Sequence, residues 1–226
     1  MMNREYLDKV TIVLIILAVM FIGLNIGLRV TLANIAEQAK QKESIDTITE
    51  NVQLPVPSTK RFINQQEQET YQQNFNLIKE RNRKISDHQV YLILDAVKVA
   101  SNKYNIAEEV ILGLIDIESS FRHMALSHCQ AFGLMQINYS VWATTLRAEG
   151  IANHRIELAV PSINIMAGTY VLAHYVKEAK RRGYKTNNDI LKYAVTRYNG
   201  GYTNKHFDRL YTTMLLHNKI KKRKVL

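Results

Sequence analysis

Two observations predict an all-α domain. Runs that alternate apolar and polar residues, the mark of half-buried strands, are scarce along the whole chain. Between about residues 86 and 201, apolar residues instead recur at three- and four-residue spacing, in segments that open on capping residues.

Before that region comes a different kind of helix. Val10 to Leu28 is an uncharged run of 19 residues, interrupted only by Thr11, Asn25 and two glycines. At 1.5 Å per residue it reaches roughly 28 Å, about the hydrocarbon thickness of a bilayer. The flank Arg29 to Ala36 offers no convincing small-x-small cleavage site, so the run reads as an uncleaved anchor, with a cleaved signal as the alternative. Arg4 and Lys9 precede it while Arg29, Lys40 and Lys42 follow, so flanking charge does not decide orientation.

From Thr31 to about Lys84, glutamine, asparagine, glutamate and lysine dominate, and Pro55 and Pro57 break any long helix. This reads as a polar linker with a polar helix over 66–80. Fully coiled, it would reach about 40 Å.

Ser86 and Asp87 then supply an N-cap, and Val90, Ile93, Leu94, Val97 and Ala100 follow at helical spacing. Asn105, with Glu108 three residues on, is expected to cap the next helix, which contains Ile111 to Phe121. Residues 140–148 predict a helix that holds the only tryptophan, Trp142. Pro161 and Ser162 open another, with Ile165, Ala167, Gly168, Val171 and Leu172 available for packing. Asn187 or Asn188 opens the next, through Leu191, Ala194 and Val195 to Tyr198-Asn199-Gly200-Gly201. Five basic residues in six, from Lys219 to Lys224, read as a solvated end, attachment to an anionic lipid or polymer being the alternative. The predicted organisation is tail and anchor over 1–30, linker over 31–85, helical domain over 86–216 and basic tail over 217–226.

The chain has 226 residues and a net charge of +10. That charge suits an anionic surface or polymer, whether nucleic acid, phospholipid or cell wall, and does not choose among them. No aromatic-and-basic groove pattern or nucleic-acid motif is present, so nucleic acid is not assigned. The single cysteine, Cys129, rules out an internal disulfide, and no His-Glu-x-x-His or paired-cysteine spacing supports a metal. No cofactor is implied.

One acid stands out. If the helix runs through Phe121, then Ile111, Leu114, Ile115 and Phe121 share the face of Glu118. Apolar surroundings disfavour the charged form of a carboxyl, which is how an enzyme keeps an acid ready to donate a proton. The competing reading is an ordinary ion pair between Glu118 and Arg122 at i, i+4. Asp116 lies about 200° round the helix and would point away from Glu118.

Glu118-Ser119-Ser120-Phe121, Ser127, the run Ala131 to Gln136, the Asn164-Ile165 pair with Gly168 and Leu172, and Tyr198-Asn199-Gly200-Gly201 occur in an order that resembles the lytic transglycosylases of the lysozyme-like superfamily. The resemblance covers about residues 88 to 205 and implies a lysozyme-like helical domain behind a single transmembrane helix and a polar linker. It departs from the family at Gln130, where glycine is usual, at Tyr170, one position early, and at Gly200, where alanine is common. The Gly133 to Asn138 segment with Trp142 looks most like members that serve secretion, conjugation or pilus machines, or phage entry.

The resemblance implies that Glu118 is the catalytic acid and then base, acting on peptidoglycan between N-acetylmuramic acid and N-acetylglucosamine. The muramyl 6-hydroxyl would close on the anomeric carbon to leave a 1,6-anhydromuramyl end. Ser127 and Gln136 would line the cleft, Tyr198 would hydrogen-bond the carboxyl and Asn199 would bind a sugar. The plainer readings are that Ser127 caps a turn, Met135 and Gln136 pack, and Tyr198 is a core tyrosine. His123 and His128 read as surface or loop residues. A hydrolytic lysozyme and a catalytically inactive wall-binding scaffold are the alternatives to the lyase.

Overall fold

The computed structural model describes residue 29, residues 65–201 and residues 204–223. The chain divides into two units, Met1–Val52 and Gln53–Leu226, and the described fold belongs almost wholly to the second. The predicted anchor at 10–28 lies outside the described residues, among which no helix is long and apolar enough to cross a membrane.

Among the described residues, seven α-helices follow from residue 65 on: α1 (Gln65–Arg81), α2 (Asp87–Tyr104), α3 (Glu108–Ser119), α4 (Tyr139–Ala148), α5 (Pro161–Arg181), α6 (Asn187–Tyr198) and α7 (Lys205–Arg223). A short 3-10 turn, Arg155–Ala159, precedes α5. The two strands are brief: β1 (Ala131–Phe132) pairs antiparallel with β2 (Ile137–Asn138). The dominance of helix among the described residues matches the all-α expectation, with this small hairpin added between α3 and α4.

α1 lies inside the stretch read as linker. Its outer face is polar, but Leu77 and Ile78 are fully buried, and it packs on α2 and α7. The polar helix expected over 66–80 is therefore present, but with only Asn74, Leu77 and Ile78 buried its packing against the domain is not announced by periodicity. α2 starts as expected: Ser86 Oγ accepts from the Gln89 backbone N–H at 3.2 Å, and the Gln89 side chain accepts from Ser86 N–H. All five residues of its predicted stripe are buried. Asn105 ends this helix rather than capping the next one, at φ 54 with its N–H on the Ser101 carbonyl. α3 begins after Ala107 without a side-chain cap.

α3 is the centre. Every residue from Val110 to Asp116 is buried, so it has no solvent face along most of its length. α5 opens on Pro161 at its first turn, where a missing N–H costs nothing, and packs between α2 and α6. Two of its residues fix the hairpin. Asn164 accepts from Met135 N–H at 2.8 Å and donates to the carbonyls of Phe132 and Leu158, both at 3.0 Å. A Cβ at Gly168 would stand 2.5 Å from Met135 Cβ, so only glycine lets Met135 seat there. α6 is capped by Thr186, whose hydroxyl accepts from Asp189 N–H at 3.0 Å, one residue before the predicted asparagines. α7 runs through most of the stretch read as a frayed basic tail, and Phe207 and Leu210 on it are buried.

Candidate active site

The cleft forms where α3 stops. Ser120 takes φ 51 and closes the helix with its N–H on the Asp116 carbonyl, and Phe121 follows at φ 59. Gln130, Gly133 and Gln136 take φ of 63, 84 and 48 in the loop that returns through the hairpin. Left-handed backbone at side-chain-bearing residues costs on the order of 1 kcal/mol or more each, and such strain gathers at functional sites. Gln130 keeps the left-handed conformation that glycine accommodates best.

This loop walls a cleft of about 660 Å³, lined among others by Glu118, Phe121, His123, Leu126, Ser127 and Gln136. Glu118 is the one carboxylate among its described lining residues. The apolar neighbours expected from α3 are in place, with Ile111, Leu114 and Ile115 fully buried behind it. Phe121 is buried too, but beyond the helix end rather than on the Glu118 face. That early ending also removes the i, i+4 relation to Arg122, whose Nε donates to the Ser119 carbonyl at 2.9 Å.

The Glu118 carboxyl is not in wholly apolar company. Its Oε1 lies 2.8 Å from Nε2 of His206, which is only 5% exposed on α7. Asp116 points away as expected. It is clamped from the other side: its Oδ2 meets Arg81 Nε and His217 Nε2, each at 2.7 Å.

Ser127 lines the cleft and also caps a turn, its Oγ accepting from Ala131 N–H at 3.0 Å. The hydroxyl hydrogen is not used in that bond. Gln136 donates through Nε2 to the carbonyls of Ala125 and Gly133, at 2.9 and 3.0 Å. Both amide hydrogens are then occupied, which leaves Oε1 as the polar group for a ligand. The Tyr198 hydroxyl donates to the Met135 carbonyl at 2.6 Å. Burial, followed by the nearby Glu118 and Tyr175, raises it well above the ordinary tyrosine value, so it stays protonated. Asn199 is exposed past the end of α6 and is not among the lining residues of this cleft. Among the described residues no His, Cys, Asp and Glu side chains group to hold a metal.

Residues 95–219 match the family described as the transglycosylase SLT domain. The chain belongs to that family. Over 119 residues it is 37% identical to the membrane-bound lytic murein transglycosylase C of Cronobacter sakazakii and 37% to that of Klebsiella pneumoniae. Identity to the protein of the same name from Salmonella typhimurium is 36%. The matched stretch covers 51% of this chain and 32% of each of those proteins, so the chain spans about a third of the length of the curated relatives it matches.

Within an SLT domain, the signature residues of this chain divide by location. Glu118, Ser127 and Gln136 reach the cleft, whereas Gly133, Met135, Asn164 and Gly168 brace the loop from behind. Two histidines at or behind the cleft escaped the sequence. His206 stands 88 residues from Glu118, and no local spacing joins them. His123 lines the cleft, with Nδ1 3.3 Å from Gln89 Nε2, and burial lowers it below the usual histidine value, which favours the neutral ring. A histidine following the helix that carries the acid was the only signal for it.

Proposed function

We propose that this protein is a peptidoglycan lytic transglycosylase that opens the cell wall locally. The observation that carries the reading is Glu118 standing as the only carboxylate among the described lining of an SLT-domain cleft. Most glycosidases need two carboxylates, one of them to activate water or attack carbon. A lyase needs one.

Glu118 protonates the glycosidic oxygen between N-acetylmuramic acid and N-acetylglucosamine, and the C1–O bond breaks with its electrons leaving on that oxygen. The substrate's own 2-acetamido group steadies the positive charge at C1. The Glu118 carboxylate then takes the proton of the muramyl 6-hydroxyl as its oxygen bonds to C1. The acid is regenerated, no water is consumed, and a 1,6-anhydromuramyl end results. Ser127 and the Gln136 carbonyl serve as donor and acceptor to the sugars, Tyr198 holds the Met135 backbone beside Glu118, and Asn199 is assigned to a sugar further along the strand.

Residues 10–28 serve as a single-pass anchor, with the SLT domain on the wall side of the membrane. The net charge of +10 suits an anionic polymer and the lipid surface beneath it. Service to a secretion, conjugation or phage assembly complex completes the reading.

The test is to incubate the full chain in detergent with purified peptidoglycan, beside Glu118→Gln, and to weigh the released muropeptides. Anhydromuramyl products from the wild type alone are expected. Reducing-end products would make it a lysozyme, and no release from two folded proteins would make it a scaffold.

A further inference from the structure

The contact between Glu118 and His206 is held by the way α7 meets α3. His206, Leu210, Met214 and His217 recur every three or four residues and so run along one side of α7. Opposite Leu210 and Met214, α3 carries Gly113. A Cβ there would stand 2.6 Å from Leu210 Cδ1 and 3.3 Å from Met214 Cγ, so the Leu210 and Met214 side chains fill the space that glycine leaves on α3. Arg209 Nη2 adds a hydrogen bond to the Ile117 carbonyl at 3.2 Å, across the last turn of α3. His206 is itself buried, and a buried imidazole nitrogen needs a partner inside the protein.

We propose that His206 is the positioning residue of Glu118: the imidazole fixes the carboxyl by Oε1 and leaves Oε2 to the glycan in the cleft. This rests on the lyase reading given above. A glutamate side chain has three torsions to settle, and a hydrogen bond to one oxygen from a buried ring settles them before substrate arrives. With the proton on Nε2, the ring donates to Oε1 in both halves of the reaction. The acid's proton stands on Oε2 and goes to the glycosidic oxygen. The 6-hydroxyl proton then returns to the same Oε2, without a change of rotamer. Tyr198 does not compete, because its only hydrogen goes to the Met135 carbonyl.

The experiment compares the full chain in detergent as wild type, His206→Ala and His206→Gln, with product release giving kcat and KM. Glutamine places its amide N–H where Nε2 stands, so it keeps the donor without the ring. His206→Ala is expected to lower kcat on the order of 10- to 100-fold, as misplacement of a reacting group does, with KM nearly unchanged. His206→Gln is expected to restore most of that loss. Nitrogen-15 NMR of the imidazoles adds a readout independent of turnover: Glu118→Gln should shift the His206 resonances and leave those of His217 in place.

A His206→Ala protein with wild-type kcat would overturn the assignment. So would equal impairment of the alanine and glutamine variants with an equal fall in Tm, which would mark a structural role. His206 resonances indifferent to Glu118→Gln would overturn it as well. If the wild type releases nothing, the lyase reading fails, and the resonance shift alone decides whether His206 holds Glu118.

Discussion

Glu118 and Asp116 lie two residues apart on α3, and each is hydrogen-bonded to a histidine of α7, yet their surroundings assign them opposite work. The Glu118 side chain keeps 14% exposure at the cleft, and a single imidazole meets one of its oxygens. The Asp116 side chain has no exposure, and Arg81 and His217 both reach its Oδ2, binding α1 and α7 to the central helix. Burial by itself would raise Asp116, but the hydrogen bonds from His217 and Arg81 outweigh it and hold the carboxyl below the usual aspartate value. An acid held ionised in that way has no proton to give near neutral pH. The difference comes from helix geometry: a step of two residues sends one acid into the cleft and the other into the packing.

Removing each acid should therefore break a different property. Glu118→Gln should abolish muropeptide release, a loss of about 100-fold or more as expected for a general acid, while Tm stays near wild type. Asp116→Ala should do the reverse at first order. It strands the buried His217 without its carboxylate, which should cost on the order of 3 kcal/mol in denaturant unfolding, with activity kept in the fraction that stays folded. Equal effects of the two substitutions on both readouts would erase the distinction.

Gly113→Ala sharpens it by crowding the packing between the two contacts. The added Cβ meets the end of the buried Leu210 side chain, which must turn aside. Overpacking costs about 1–3 kcal/mol, offset in part by the roughly 1 kcal/mol that alanine gains over glycine in a helix. Unfolding and turnover should both suffer, each less than in the direct substitutions.

The smallest effect is on pH. Folded Asp116 binds its proton less tightly than the unfolded chain does, so its contribution is complete above the ordinary value of 3.8 and is lost as pH falls through the lowered folded value. Asp116→Asn should flatten the acid side of the stability curve, read by denaturant unfolding below about pH 4. An unchanged acid limb would mean that Asp116 is not held below its unfolded value.

That Glu118, Ser127 and Gln136 would share one cleft was legible because they sit in short motifs, and the α2 stripe was legible because each of its five predicted apolar positions is buried. What stayed hidden was long-range or sparse. The histidines of α7 reach the α3 acids across 88 and 101 residues, in a helix whose basic end masks its buried side. α1 was legible as a polar helix over 66–80, but not as part of the domain, because its buried apolar residues are only Leu77 and Ile78 and Arg81 finds Asp116 35 residues away. Asn105 misled because an asparagine suits either end of a helix, and a left-handed φ decides for the C-terminal end.

The claim that one carboxylate suffices is tested most directly by digesting peptidoglycan with the full chain in water enriched in oxygen-18. Closure by the muramyl 6-hydroxyl predicts products that carry no label and weigh one water less than reducing-end muropeptides. Incorporation of one labelled oxygen per cleaved bond would mean that water attacks the anomeric carbon, and the single-acid lyase account would be wrong.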